Sequence, residues 1–136
     1  MPPTHLLDTS AYCQPIRRKP LASVERRWRS LGDRALCISV VCEMEVLQGL
    51  EMKGSARLWE AYTEALLNRL PMLPVDRPVA ESYARIAADL KRRGEPRPIM
   101  DMLIAATALT HKLIVATCDA GHFTGIPGLQ VEDWSI

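Results

Sequence analysis

The chain has 136 residues, which is enough for one domain with a sizeable core. Its hydrophobic content of 48% and charged content of 24% are ordinary for a globular protein, and its formal net charge of +1 gives no bulk signal of nucleic-acid binding. No apolar stretch approaches the roughly 18 residues needed to cross a bilayer, which excludes a transmembrane segment. Arginine supplies 13 of the 17 basic residues, a bias that suits phosphate recognition but also follows from GC-rich coding.

The cysteines and the N-terminal residues indicate the compartment. Cys13, Cys37, Cys42 and Cys118 form no CxxC motif and no paired metal spacing, so reduced thiols are expected. The first residues, Met1-Pro2-Pro3-Thr4-His5, lack the basic and apolar regions of a signal peptide. We therefore expect a cytoplasmic protein that makes no membrane contact, with residues 1–136 forming a single domain.

Apolar runs alternate with amphipathic segments along most of the chain. The runs predict strands at 6–7, 35–40, 72–75, 113–117 and 129–131. The segments between them predict helices at 21–31, 42–50, 55–70, 76–93 and 100–108. Such alternation is typical of a mainly parallel sheet covered by helices on both faces, so we predict a three-layer α/β fold.

Acidic residues stand where several of these elements begin or end. Asp8 follows the first strand, Asp119 follows the strand at 113–117, and Asp101 opens an otherwise apolar helix. Glu43 or Glu45 comes one to two turns into the helix after the second strand, and helical periodicity does not decide between them. Asp8 and Asp101 could instead be simple capping residues. Since parallel strands end at one edge of a sheet, four acids are predicted to converge there.

Converging carboxylates have a chemical consequence. They repel each other and raise each other's pKa unless a cation is bound among them. Oxygen-only ligands suit Mg²⁺ or Mn²⁺ rather than zinc. A divalent ion in such a site activates water for attack on a phosphodiester and stabilises the leaving oxygen. The residues therefore predict a metal-dependent phosphodiesterase.

Several of these segments, in this order and spacing, resemble one known family. The segments are Leu6-Leu7-Asp8-Thr9-Ser10, Ile38-Ser39-Val40, Glu45-Val46-Leu47-Gln48-Gly49, Asp101 through Ala108, Thr117-Cys118-Asp119, Phe123, Ile126 through Leu129, and Val131-Glu132-Asp133-Trp134. Together they span almost the whole chain and are similar to the PIN-domain ribonucleases, specifically the VapC-type toxins of toxin–antitoxin pairs.

The resemblance implies a set of site residues. It implies that Asp8, Glu45, Asp101 and Asp119 are catalytic and hold the metal. Glu45 is selected over Glu43 because it stands four residues before Gly49, as the family pattern requires. Ser10 and Thr117 fall where the family often carries supporting hydroxyls.

The resemblance also implies an activity and partners. The protein would be an endoribonuclease that depends on Mg²⁺ or Mn²⁺, with RNA as its substrate. It would form a homodimer and pair with a VapB-type antitoxin whose C-terminal tail blocks the site. Five basic residues are predicted to contact RNA phosphates: Arg17, Arg18, Arg92, Arg93 and Arg97. His122 is either a general base or a solvated loop residue.

Two other functions are compatible with parts of the pattern. An aspartate-nucleophile phosphatase would use Asp8, but such enzymes carry a second aspartate two residues on, where this chain has Ser10. A PIN-like interaction module without nuclease activity would have lost its acids, whereas all four are present. Both alternatives are therefore less well supported than the nuclease.

Overall fold

A five-stranded, wholly parallel sheet forms the centre of the computed structural model, which describes residues 2–136. Met1, the first residue of the predicted domain and N-terminal segment, lies outside the described residues. The strands are β1 (His5–Leu7), β2 (Leu36–Ser39), β3 (Met72–Leu73), β4 (Ile114–Thr117) and β5 (Val131–Asp133). Their order is β3-β2-β1-β4-β5, so β1 is central and the proline-flanked β3 lies at an edge, where proline is tolerated.

Helices connect the first four strands in turn and cover both faces of the sheet, whereas a 3-10 turn and a loop connect β4 to β5. They are α1 (Thr9–Tyr12), α2 (Ala22–Leu31), α3 (Val40–Lys53), α4 (Ala56–Ala65), α5 (Arg77–Arg92) and α6 (Ile99–His111). Short 3-10 turns occupy Gln14–Ile16, Asp33–Ala35 and Ala120–His122. Within residues 2–136, no helix combines the length and the apolar character needed to cross a membrane.

Side chains along each strand alternate between the two faces of the sheet, so the hydrophobic core has two halves, one on each face. Leu6 packs on one face of the sheet with apolar residues of α5 and α6, such as Leu90 and Ile104. Leu7 packs on the other face with aromatic residues that include Trp28 and Tyr62, from α2 and α4. Consecutive strand residues point to opposite faces, so one short strand supplies both cores. The predicted three-layer α/β fold is confirmed.

Several predicted boundaries differ from those observed. Helix α3 begins at Val40 rather than near Cys42, because the Ser39 side chain accepts a hydrogen bond from the Cys42 N–H and caps the helix. Helix α4 ends at Ala65 rather than 70, and the chain turns through Asn68, whose φ is +63°. The last strand, predicted at 129–131, is Val131–Asp133, because these residues pair with Val115–Thr117.

One polar cluster ties the C-terminal strand to the rest of the fold. The Glu132 carboxylate accepts hydrogen bonds from Arg27 Nη2 at 2.6 Å and Trp134 Nε1 at 3.1 Å, and it lies 3.1 Å from His5 Nε2. Partial burial of Glu132 raises its pKa, but the three hydrogen bonds together outweigh burial and hold the pKa at about 2.

The hydrogen bonds to Glu132 predict how the stability of the fold changes with pH. Because the pKa of Glu132 is lower in the fold than its ordinary 4.5, its contribution is present above pH 4.5 and is lost as the pH falls through about 2. Glu132→Gln is expected to lower the free energy of unfolding at pH 7 by about 1–2 kcal/mol, since the side chain is partly exposed. Urea unfolding should show the difference between the two proteins shrinking from pH 5 to pH 2. A difference that stayed constant with pH would contradict this assignment.

Candidate active site

The predicted acids lie at the carboxyl edge of the sheet. Asp8 directly follows the central strand β1, and Asp119 comes just after the neighbouring strand β4. Glu45 lies in the second turn of α3, which starts where β2 ends. Asp101 lies in the first turn of α6. The parallel order of β2, β1 and β4 thus delivers side chains from four distant segments to one edge.

Asp8 is the most deeply placed of the four acids, with 5% of its surface exposed. Its Oδ1 accepts hydrogen bonds from Ser10 Oγ at 2.7 Å and from the Ala11 N–H at 3.1 Å. Its Oδ2 accepts one from Thr117 Oγ1 at 2.5 Å. The hydrogen bond from the Ala11 N–H shows that Asp8 caps α1, as the alternative interpretation of Asp8 as a capping residue predicts. The two hydroxyl bonds add a second role that capping does not require.

Ser10 and Thr117 also fix the end of β4 against the Asp8 segment. Ser10 Oγ accepts the Cys118 N–H at 2.9 Å, and Thr117 Oγ1 accepts the Asp119 N–H at 2.8 Å. The two hydroxyl oxygens lie 3.3 Å apart. Each hydroxyl therefore donates to Asp8 while it accepts from the backbone beside Asp119. This network joins the first and fourth predicted acids.

The environment of Asp8 disfavours its charged form. Burial raises the pKa of the carboxyl, hydrogen bonds from Thr117, Ser10 and Ala11 lower it in part, and the charge of Asp119 raises it further. The three donors occupy both lone pairs of Oδ1 and one of Oδ2. One lone pair of Oδ2 is left to bind a cation.

The two glutamates of α3 face different surroundings. Glu45 Oε1 accepts a hydrogen bond from Thr9 Oγ1 at 2.6 Å, and the Glu45 charge raises the pKa of Asp101. Glu43 Oε1 instead accepts a long bond of 3.4 Å from the hydroxyl of Tyr62. The geometry therefore places Glu45, and not Glu43, beside the other acids.

Asp101 does not cap helix α6, so the alternative interpretation of Asp101 as a simple capping residue is wrong. Helix α6 begins two residues earlier, at Ile99, with Pro98 at the N-cap position. Within residues 2–136, no backbone N–H donates to the Asp101 carboxylate. Burial raises the pKa of this carboxyl, and the charges of Glu45 and Asp119 raise it further, whereas His122 and Arg97 lower it. The Asp101 carboxylate therefore interacts electrostatically with Glu45 and Asp119.

His122 shares features of both of its predicted roles. Its side chain is 58% exposed, as expected of a solvated loop residue, yet its Nδ1 lies 3.4 Å from Asp101 Oδ2. Asp119 is also exposed, whereas Asp8 is buried. The acids therefore form a gradient from a buried first carboxylate to a solvent-facing fourth one.

The donor set fits a hard divalent cation. All four candidate ligands are carboxylates, and their charges raise the pKa values of Asp8 and Asp101. As the side chains stand, no three His, Cys, Asp or Glu residues within residues 2–136 form a group that could hold a metal ion. Mg²⁺ typically binds through one or two carboxylates and keeps several waters, so an open arrangement of oxygen donors suits it.

The five arginines predicted to contact RNA fall into two groups. Arg93 and Arg97 donate to backbone carbonyls of the loop at residues 122–125, so their guanidinium groups are engaged with the protein itself. Arg17, Arg18 and Arg92 are exposed. A hydrogen bond with Cys13 raises the pKa of Arg17, and the charges of Cys13, Cys118 and Asp119 raise it further.

Two features of this site have no signal in the sequence. The Thr9 hydroxyl donates a hydrogen bond to the Glu45 carboxylate. The two residues are 36 positions apart, and a single sequence carries no pattern that would pair them. The contacts of Arg93 and Arg97 with the loop at residues 122–125 also have no sequence signal, because the acceptors are backbone carbonyls and an arginine alone indicates phosphate binding equally well. Arg17 is exposed, as an RNA contact would need to be, and its contact with RNA stays a prediction.

The fold and the arrangement of acids correspond to a known family. The sequence matches the PIN domain model over residues 5–128, and the chain belongs to the PIN-domain family. It is 35% identical over 130 residues to the tRNA(fMet)-specific endonuclease VapC of Shigella flexneri, covering 96% of this chain and 97% of that protein. It is 36% identical over 135 residues to Toxin FitB of Neisseria gonorrhoeae, covering 95% of this chain and 97% of that toxin.

A solved structure supports the same relationship. The chain superimposes on the DNA-bound VapBC structure from Salmonella typhimurium with a TM-score of 0.84 and 31% identity, covering 97% of this chain and 98% of that one. These matches confirm the predictions of a PIN-domain fold and of a VapC-type nuclease toxin.

Proposed function

We propose that this protein cleaves RNA phosphodiester bonds as the toxin of a type II toxin–antitoxin pair, with Mg²⁺ or Mn²⁺ as its cofactor. The supporting observation is the buried Asp8 carboxylate, which is charge-coupled to Asp119 and retains one lone pair on Oδ2. A buried acid beside other acids is costly unless a cation binds there. An endonuclease name among the relatives agrees with this chemistry.

Asp8, Glu45, Asp101 and Asp119 would hold the metal in this proposal. A divalent cation supplies an activated water and stabilises the leaving oxygen. Ser10 and Thr117 keep the Asp8 carboxylate in one orientation through their hydroxyl bonds. Their role is therefore to position Asp8 rather than to react.

The substrate would approach from the exposed side of the site. Asp119 lies at the solvent-facing end, and Arg17 and Arg18 are exposed on the nearby segment after α1. Arginine forms paired hydrogen bonds with phosphate, so these two side chains are the better candidates for RNA contact. Arg92 is exposed near the end of α5 and is a third candidate.

A solved complex that contains a similar chain supports part of the proposed set of partners. We propose that residues 1–136 act as one PIN-like domain in a cytoplasmic homodimer, bound by a VapB-type antitoxin. A VapBC complex from Salmonella typhimurium has this toxin fold in one of its chains, which supports an antitoxin for this chain as well. The antitoxin's C-terminal tail would cover the acids and block the substrate.

Cleavage of RNA by purified, metal-stripped protein tests the proposal. Cleavage is expected to return when Mn²⁺ or Mg²⁺ is added, and an Asp8→Asn/Asp101→Asn protein should stay inactive under the same conditions. Cellular RNA and isolated tRNA should both be supplied, because toxins of this class can be selective. A wild-type protein that bound no metal and cleaved neither substrate would indicate an interaction module instead.

Exchanging each glutamate of α3 tests which one belongs to the site. Glu45→Gln is expected to lower RNA cleavage by about a hundredfold, the upper end for residues that support a metal site. Glu43→Gln removes the same charge from the same helix and is expected to stay within about twofold, since the Glu43 carboxylate accepts a long hydrogen bond from Tyr62 and not from a residue of the site. Initial rates at saturating Mn²⁺ give both values. A larger loss in Glu43→Gln would reverse the assignment.

A further inference from the structure

A two-pronged arginine contact joins the segment before α6 to the loop after β4. Arg97 donates from Nη1 to the His122 carbonyl at 2.9 Å and from Nη2 to the Thr124 carbonyl at 2.6 Å. The loop approaches Arg97 closely at Gly125, where a Cβ atom would lie 3.6 Å from Nη2 and φ is +83°. Only a planar guanidinium offers two parallel donors of this kind.

Both ends of this contact lead to a predicted metal ligand. On one side, Arg97 stands four residues before Asp101, with Pro98 and the first turn of α6 between them. On the other side, the His122 N–H donates to the Asp119 carbonyl at 3.0 Å in the 3-10 turn Ala120–His122. The contact therefore fixes the backbone that carries the third acid relative to the backbone that carries the fourth.

Neighbouring residues do not duplicate this contact. Arg93 reaches only the Gly125 carbonyl, at 2.8 Å, and its other nitrogens lie 3.1 Å from Asp89 and 3.6 Å from Glu95. The ring of His122, a residue of this loop, lies 3.4 Å from Asp101 Oδ2, but the side chain is 58% exposed and makes a single contact with Asp101. Arg97 is thus the residue whose loss would leave the loop least restrained next to Asp101.

We infer that Arg97 is a positioning residue for the metal pair Asp101 and Asp119, and not an RNA contact. This inference rests on the proposed function, because it assumes that these acids bind a cation. Residues that orient metal ligands commonly change metal affinity by 10- to 100-fold when they are replaced. A phosphate-binding arginine would instead change the apparent affinity for RNA.

Titration of the metal-stripped protein with Mn²⁺ alone, followed by calorimetry, tests the inference without relying on activity. Arg97→Gln is expected to raise the Kd for Mn²⁺ by about tenfold. Arg97→Lys, which keeps the charge but offers no fork, is expected to fall between Arg97→Gln and the wild type. Arg57→Gln serves as the matched control, since Arg57 is an exposed arginine on α4, and its Kd should equal that of the wild type.

RNA cleavage separates the possible outcomes. The inference predicts that Arg97→Gln regains most of its rate at high Mn²⁺ while its KM for RNA stays unchanged. An unchanged Kd for Mn²⁺ in Arg97→Gln, or a raised KM for RNA alone, would overturn it and return Arg97 to the RNA contacts. A wild type that binds Mn²⁺ without cleaving RNA would refute the proposed function but not the positioning role. A wild type that binds no Mn²⁺ would refute both.

Discussion

Replacing Asp8 with asparagine is expected to lower metal-dependent RNA cleavage on the order of 10³-fold, since several kcal/mol of transition-state stabilisation would be lost. The side chain is nearly isosteric, and its carbonyl oxygen can still accept from Ser10 and the Ala11 N–H. The amide group, however, would face Thr117 Oγ1 with donors where the carboxylate had a lone pair. The site would lose both a charge and its most buried ligand oxygen.

Stability and partner binding provide the controls for Asp8→Asn. Because burial raises the pKa of Asp8, the neutral asparagine should not destabilise the metal-free fold, and thermal unfolding should show an equal or higher Tm. A co-expressed antitoxin should still co-purify with the variant. If Asp8→Asn retained full metal-dependent cleavage, the four-acid site would be wrong.

Adding Mn²⁺ or Mg²⁺ is expected to raise the Tm of the wild type and to do little for Asp101→Ala. A ligand at 100 times its Kd stabilises the folded state by about 2.7 kcal/mol, which corresponds to roughly 10 °C for a chain of this size. Differential scanning calorimetry of both proteins, with and without metal, measures the effect.

In the metal-free protein, Asp101 affects the stability of the fold through its raised pKa. Burial and the charges of Glu45 and Asp119 raise the pKa of Asp101 above its ordinary 3.8, so its favourable contribution is fully present below pH 3.8 and is lost as the pH rises through the higher folded value. At pH 7 the charged carboxylate is a cost, which offsets the contacts that Asp101→Ala removes. The metal-free variant should therefore unfold close to the wild type.

A matched acidic substitution completes this experiment. Glu64→Ala removes an exposed carboxylate from α4, and it should keep the full metal-induced rise in Tm. Equal metal shifts in the wild type and Asp101→Ala would show that the cation binds elsewhere.

The alternation of apolar runs and helices was sufficient to predict the fold, because parallel strands buried on both faces need nearly continuous apolar residues. Leu6 and Leu7 pack on opposite faces of the sheet, which is why a three-residue strand could be recognised. The last strand was misplaced by two residues, since its position is set by pairing of Val131 with Val115, a contact across the sheet. Long-range pairing of this kind leaves no local pattern.

The site was partly readable from the sequence for a related reason. Asp8 and Asp119 could be predicted to lie at one edge of the sheet, because each follows a buried strand and parallel strands end at the same edge. The choice of Glu45 over Glu43 came from family resemblance, and the Thr9 hydrogen bond gives it a geometric basis. The role of Arg97 could not be read, because its partners are backbone carbonyls, which carry no sequence signature.

The most direct test of the account is a crystal structure of the protein grown with Mn²⁺, with the ion located by its anomalous scattering. The account predicts an anomalous peak at the carboxyl edge of the sheet, coordinated by Asp8 and Asp101, with Glu45 and Asp119 bound directly or through water. A fully loaded crystal with no peak among these four acids, or with its peak at another surface, would contradict the four-acid metal site.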